Sequence, residues 1–132
     1  MKTFRELTVW QQAHQLTLSI YHTTATFPPH ERYGLVSQMR RAAVSVAANI
    51  VEGHKRRSHK EFLNFLVIAD SSLEELKYYL LLSKDLEYLN ATSLEPLYRQ
   101  VEWVGRMLSR FKTYIREGKP HALQPQPIPA TV

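Results

Sequence analysis

The chain has 132 residues, 44% of them hydrophobic and none of them cysteine, with 17 Lys+Arg against 12 Asp+Glu for a formal net charge of +5. Disulfides, thiolate metal sites and cysteine nucleophiles are thereby excluded, and the composition is that of a chain that folds, as a single domain, with a charge that favours acidic partners such as nucleic acid. The charged start MKTFRELTVW lacks the apolar run of a signal peptide, and no stretch approaches 18 uninterrupted apolar residues, so a cytoplasmic location is expected.

Val9, Ala13, Leu16, Ile20 and Phe27 recur at helical spacing with Trp10 and Tyr21 alongside, which predicts a first helix over residues 5–26. Pro28-Pro29 stops it, because proline has no N–H to donate and biases its predecessor away from helical angles. A second helix is expected from about Tyr33 to about Lys55. Ser58-His59-Lys60-Glu61 has the form of a capping box and opens a third, whose core positions Phe62, Phe65, Leu66, Ala69, Leu73, Leu76 and Leu80 keep the period to about Leu89. Thr92-Ser93-Leu94-Glu95 offers a second box, with Pro96 in the first turn of a fourth helix. Leu97, Val101, Val104, Leu108, Phe111 and Ile115 form its seam, and Gly118 its stop. Together these elements predict an all-α, antiparallel up-down four-helix bundle over residues 1–118, followed by an extended or disordered proline-rich tail, KPHALQPQPIPATV, over residues 119–132.

The second helix is apolar on too many sides for an isolated bundle. Leu35, Met39, Ala42, Val46, Asn49 and Gly53 form the natural core stripe, whereas Arg40, Val44, Ala47 and Val51 lie opposite it. Either neighbours within the monomer cover that second strip, or it is a subunit interface whose small residues admit a close helix approach. Arg41, Ser45, Ala48 and Glu52 look solvated. Asn49 on the apolar stripe needs hydrogen-bond partners and is read as a structural amide, bonded to neighbouring backbone or to Glu52.

Two basic groups are candidates for phosphate contact. HKRRSHK (residues 54–60) gathers Lys55, Arg56, Arg57 and Lys60 with two histidines at the turn between helices two and three. Arg99, Arg106 and Arg110 share a face of helix four, next to Trp103 and Met107, with Lys112, Arg116 and Lys119 toward its end, where positive charge also suits the helix dipole. The six histidines have no compact metal spacing, Glu74 and Glu75 diverge as adjacent residues on a helix do, and no glycine-rich phosphate loop or nucleophile elbow is present, so neither a catalytic constellation nor a cofactor site is expected.

Three strings, FRELTVWQQA, FPPHERYGLVSQMRRAAVSVAANIVEGHKRRS and EFLNFLVIADSSLEEL, resemble the four-helix-bundle proteins encoded within intervening sequences of bacterial large-subunit ribosomal RNA genes, over about residues 3–117. The resemblance implies a homopentamer, a basic barrel-like ring. It also implies kinship with the accessory protein of diversity-generating retroelements, which binds nucleic acid and associates with a reverse transcriptase. Two features depart from the family pattern: Asp70 stands where the family often has glycine, and the proline-rich tail has no family counterpart. The expectation is a non-enzymatic, pentameric nucleic-acid-binding or scaffolding protein without cofactor or metal. The alternative is a protein-interaction adaptor, for example for a reverse transcriptase, with no direct role on nucleic acid.

Overall fold

The computed structural model describes residues 3–118; the tail expected over 119–132, with Lys119, lies outside them. Four helices, α1 (Thr8–Thr24), α2 (Leu35–His54), α3 (His59–Asp85) and α4 (Ala91–Arg116), follow one another with short connections, and 3-10 turns occupy Phe4–Glu6 and Pro29–Glu31. Each helix packs on its chain neighbours and α1 closes against α4, which is the antiparallel four-helix bundle expected. No helix among the described residues is long and apolar enough to cross a membrane.

The core runs the length of the bundle through Leu16, Ile20, Met39, Ile50, Phe62, Leu66, Leu76, Leu80, Leu108 and Ile115, all fully buried. Buried hydroxyls are satisfied as they pass between helices. Thr17 donates to the Ala13 carbonyl at 2.9 Å and lies 3.2 Å from that of Ala43, while Ser83 donates to the Tyr79 carbonyl at 2.7 Å.

The α2–α3 pair has the most extensive contact in the bundle. The two helices approach closely at Gly53, where an added Cβ would fall 2.6 Å from Phe62 Cδ1 and 2.9 Å from Phe65 Cβ. Buried Ala42, Ala43 and Ala47 extend the same thinness along α2. The small residues of this helix therefore serve first to bring its own neighbours close, and Phe62, seated against Gly53, reaches across to stack edge-on against Phe111 of α4 at 5.5 Å.

Helix ends differ from expectation in α1, which runs Thr8–Thr24 and not over residues 5–26 because Phe4–Glu6 forms a separate 3-10 turn, and at the facing ends of α3 and α4. Ser58 accepts the Glu61 N–H at 3.1 Å as predicted. In α4, however, the cap is Asn90 and not Thr92: its Oδ1 accepts the Ser93 N–H at 2.8 Å. The helix thus starts earlier, and Pro96 falls inside it, where its missing N–H leaves the exposed Thr92 carbonyl to water. Helix α3 ends at Asp85 instead of continuing to Leu89. Glu87 adopts a left-handed conformation (φ 67°), with the Tyr88 N–H bonded to the Ser83 carbonyl at 2.8 Å and the Glu87 N–H to that of Lys84 at 2.9 Å, a Schellman closure without glycine. Leu89 is buried by the connection that follows and not by the helix. At α4, Gly118 takes the corresponding position with φ 77°.

A polar latch joins the two connections at that end. Glu31 accepts the Tyr88 hydroxyl at 2.8 Å and the Leu35 N–H at 3.2 Å, and His30 lies 3.3 Å from the same hydroxyl. The Tyr88 bond, then the Leu35 bond, holds the Glu31 carboxyl below its ordinary 4.5, and the shared bond raises the Tyr88 phenol above its ordinary 10.0.

Three predictions follow from this packing. Gly53→Ala should lower the urea midpoint, because overpacking costs about 1–3 kcal/mol against the ~1 kcal/mol that alanine gains in a helix; a raised midpoint would mean that Phe62 gives way freely. Glu87→Gly should stabilise by about 0.5–1 kcal/mol by removing the left-handed strain, and an unchanged or lowered midpoint would contradict it. The latch carboxylate has a lowered folded pKa, so its contribution is full above pH 4.5 and is lost as pH falls through the folded value. The raised Tyr88 phenol contributes below pH 10.0 and is lost as pH rises through its folded value. In urea titrations across pH, Tyr88→Phe should flatten both branches of the profile; a profile parallel to wild type would dismiss the latch.

Candidate nucleic-acid interface

The antiparallel order places the α2–α3 turn at the same end of the bundle as the end of α4. Lys55, Arg56, Arg57 and Lys60 are all exposed there, with the acids Glu52 and Glu61 beside them, Glu6 near His54 and Glu117 at the end of α4. Glu52 pairs with Arg56 at 3.1 Å, and the Arg56 guanidinium lies 4.8 Å above the Phe65 ring. Glu61 is occupied with Ser58, whose hydroxyl donates to its carboxylate at 3.1 Å. Burial, with Phe62 beside the ring, pushes the His54 imidazole below its ordinary 6.5.

The helix-four arginines separate. Arg110 precedes Phe111, the partner of Phe62, and therefore stands at the level of the basic turn. Arg106 lies in mid-helix over Trp103 at 5.6 Å, beside a shallow groove that also holds Asp70, Glu74 and Glu102. Arg99 is about 16 Å from Arg110 along the axis and is bonded to Glu95 at 2.7 Å. Lys112 turns inward across the α3–α4 contact to Asp70 at 3.0 Å, a cross-helix ion pair. The single basic stripe read from the sequence is thus divided: Arg110 joins the turn, while Arg99 and Arg106 sit among acids.

The strip opposite the α2 core stripe is largely covered by α1. Ala47 is only 9% exposed. Arg40 donates from Nε to Thr24 Oγ1 at 3.0 Å and from Nη2 to the Tyr21 carbonyl at 3.3 Å, lying 4.6 Å over the Tyr21 ring. Val51 is half-buried, and Val44 remains open at 41%. Asn49 is held within α2, donating to the Ser45 carbonyl at 2.8 Å and the Ser45 hydroxyl at 3.0 Å, which in turn meets Ser72 at 2.7 Å. Glu52 bonds Arg56 and not Asn49.

Two surfaces escaped the sequence reading. Val67, Ile68, Tyr78 and Leu81 are exposed on α3 as two apolar pairs with Ser71, Glu74 and Glu75 between them, and the run Val67-Ile68 between core positions Leu66 and Ala69 was the available signal. The second is an open groove of about 650 Å³ where α1 ends and α2 begins, lined by Tyr21, Arg32, Tyr33, Arg40 and Arg41 over Val36 and Val44. Its signal was the pairing of Arg32-Tyr33, just before the second helix, with Arg40-Arg41 in that helix. Among the described residues no group of three or more histidines, cysteines or acids is placed to hold a metal ion.

A crystal structure of a protein of unknown function of the S23 ribosomal protein family from Bacteroides thetaiotaomicron is similar to this fold with a TM-score of 0.72, at 22% identity, over 80% of this chain and 98% of that one. No curated protein matches the sequence. The sequence model of the 23S rRNA-intervening sequence protein family matches residues 5–110, which span the four helices almost entirely, and the chain belongs to that family.

Proposed function

We propose that the protein is a non-enzymatic, self-assembling binder of nucleic-acid backbone. The observation that carries this reading is the gathering of Lys55, Arg56, Arg57, Lys60 and Arg110 at one end of the bundle, all exposed, with Glu52 already engaged by Arg56 and Glu61 by Ser58. Such a surface neutralises phosphates and releases their counterions with little preference for base. The large apolar side chains exposed on α3, Val67, Ile68, Tyr78 and Leu81, together with Val44 on α2, support assembly, because apolar surface left to water favours burial between copies. The proposed assembly is a pentamer, in which a formal +5 per chain would repeat the basic end around a ring.

The same exposed side chains also favour a second reading, an adaptor that docks another polypeptide such as a reverse transcriptase. Sedimentation of the protein with and without labelled mixed-sequence RNA separates the two. The binder should run at roughly five times 15.4 kDa and take up RNA at low salt, with affinity falling linearly in log–log against salt. Replacing Arg57 and Lys60 together by glutamate should weaken binding by about tenfold or more without changing the mass. A 15.4 kDa species would defeat assembly. Undetectable RNA and DNA binding at low salt would defeat the nucleic-acid reading and leave the adaptor.

A further inference from the structure

The groove between α1 and α2 gathers arginines and aromatic rings without an acid in its lining. Arg56, Arg99 and Lys112 each have a carboxylate partner, whereas among the described residues no carboxylate pairs with Arg32, Arg40 or Arg41, and no acid lines the groove. Three guanidinium groups thus converge on one concavity with nothing to balance them. Two aromatic rings accompany them. Tyr33 is 88% exposed, an aromatic held in water at the start of α2, with Arg32 5.7 Å from its ring. Tyr21 supports Arg40, which is fixed by its two bonds to α1 and so keeps its remaining N–H groups aimed outward without further ordering.

Guanidinium groups recognise phosphate by paired N–H donors, and exposed tyrosine faces stack on bases. We infer that this groove is a single-strand-selective subsite that takes one or two nucleotides of RNA or DNA, with a base on Tyr33 and phosphate oxygens on Arg32, Arg40 and Arg41. The inference rests on the reading that the protein binds nucleic acid, and it adds a second point of contact. Arg41, Val44, Ala48, Glu52 and Lys55 lie along the outer side of α2, so the groove and the basic turn share one helix. From Arg41 to Lys55 is about 21 Å along the axis, near the length of six stacked nucleotides at about 3.4 Å each. A duplex keeps its bases paired and stacked, so it offers the groove phosphates alone.

Binding of a mixed-sequence single-stranded 12-mer and of the corresponding duplex is to be compared for wild type, Tyr33→Ala, Arg41→Gln and Arg57→Glu, with the solution mass of each. Tyr33 and Arg41 are exposed, and neither replacement opens the core. Tyr33→Ala should weaken single-strand binding by about tenfold while leaving duplex binding within about twofold, as loss of one stacking platform requires. Arg41→Gln should weaken single-strand binding more than duplex binding, and Arg57→Glu should weaken both. If Tyr33→Ala and Arg41→Gln bind the single strand as wild type does while Arg57→Glu fails, the groove assignment falls and the basic turn stands. Groove variants that change the mass and not the affinity would make the groove a contact between copies, which also overturns it. Failure of every protein, wild type included, to bind either ligand would remove the proposed function and this subsite with it.

Discussion

The contact on which the bundle depends is the approach of α2 to α3 at Gly53. With no side chain at that position, the Phe62 ring lies against the α2 backbone and its far edge meets Phe111. This contact packs the end of α2, the start of α3 and the end of α4 together, at the end where the antiparallel order gathers Lys55–Lys60 and Arg110. The alanines at 42, 43 and 47 continue the same effect toward α1, where Thr17 and Arg40 pin the two helices through Ala43, Tyr21 and Thr24. Close packing of α2 on both neighbours is thus a consequence of the same thin helix.

The architecture was readable in the sequence because four helical periods and their stops agree with one another. Met39, Val46, Phe62, Leu76 and Leu108 all lie in the core on the period that identified them. The errors fall where local signals compete. Asn90 and Thr92 are both capping residues, and the one nearer the end of the preceding helix wins; Leu86 and Leu89 extend the apolar period of α3 past a turn that Glu87 makes without a glycine to mark it. The apolar breadth of α2 was read correctly but has two causes. Ala47 faces α1 inside the monomer, whereas Val44 remains at the surface.

Charge was less readable than fold, since spacing along a helix cannot show which cations already have partners. Arg99, Arg106 and Arg110 are equivalent on a helical wheel, yet the first is tied to Glu95 and the second sits among Asp70, Glu74 and Glu102. Arg41 looked like ordinary solvated charge until the fold set it beside Arg32 and Tyr33, which come from the connection before the helix. The latch of Glu31 and Tyr88 lies next to that connection and holds it to the α3–α4 turn, so a structural hydrogen bond also restrains the aromatic edge of the groove. On the proposed reading the outer side of α2 is the binding surface, basic at the turn and mixed aromatic and basic at its start.

The most direct test of that assignment is photo-cross-linking of a thiouridine-containing single-stranded RNA to the intact protein at low salt, followed by identification of the modified peptides. Adducts on peptides containing Tyr33 and on peptides spanning residues 55–60 are expected. Adducts confined to α1 or to the Arg99–Arg106 part of α4, at saturating RNA, would contradict the placement of the interface on α2.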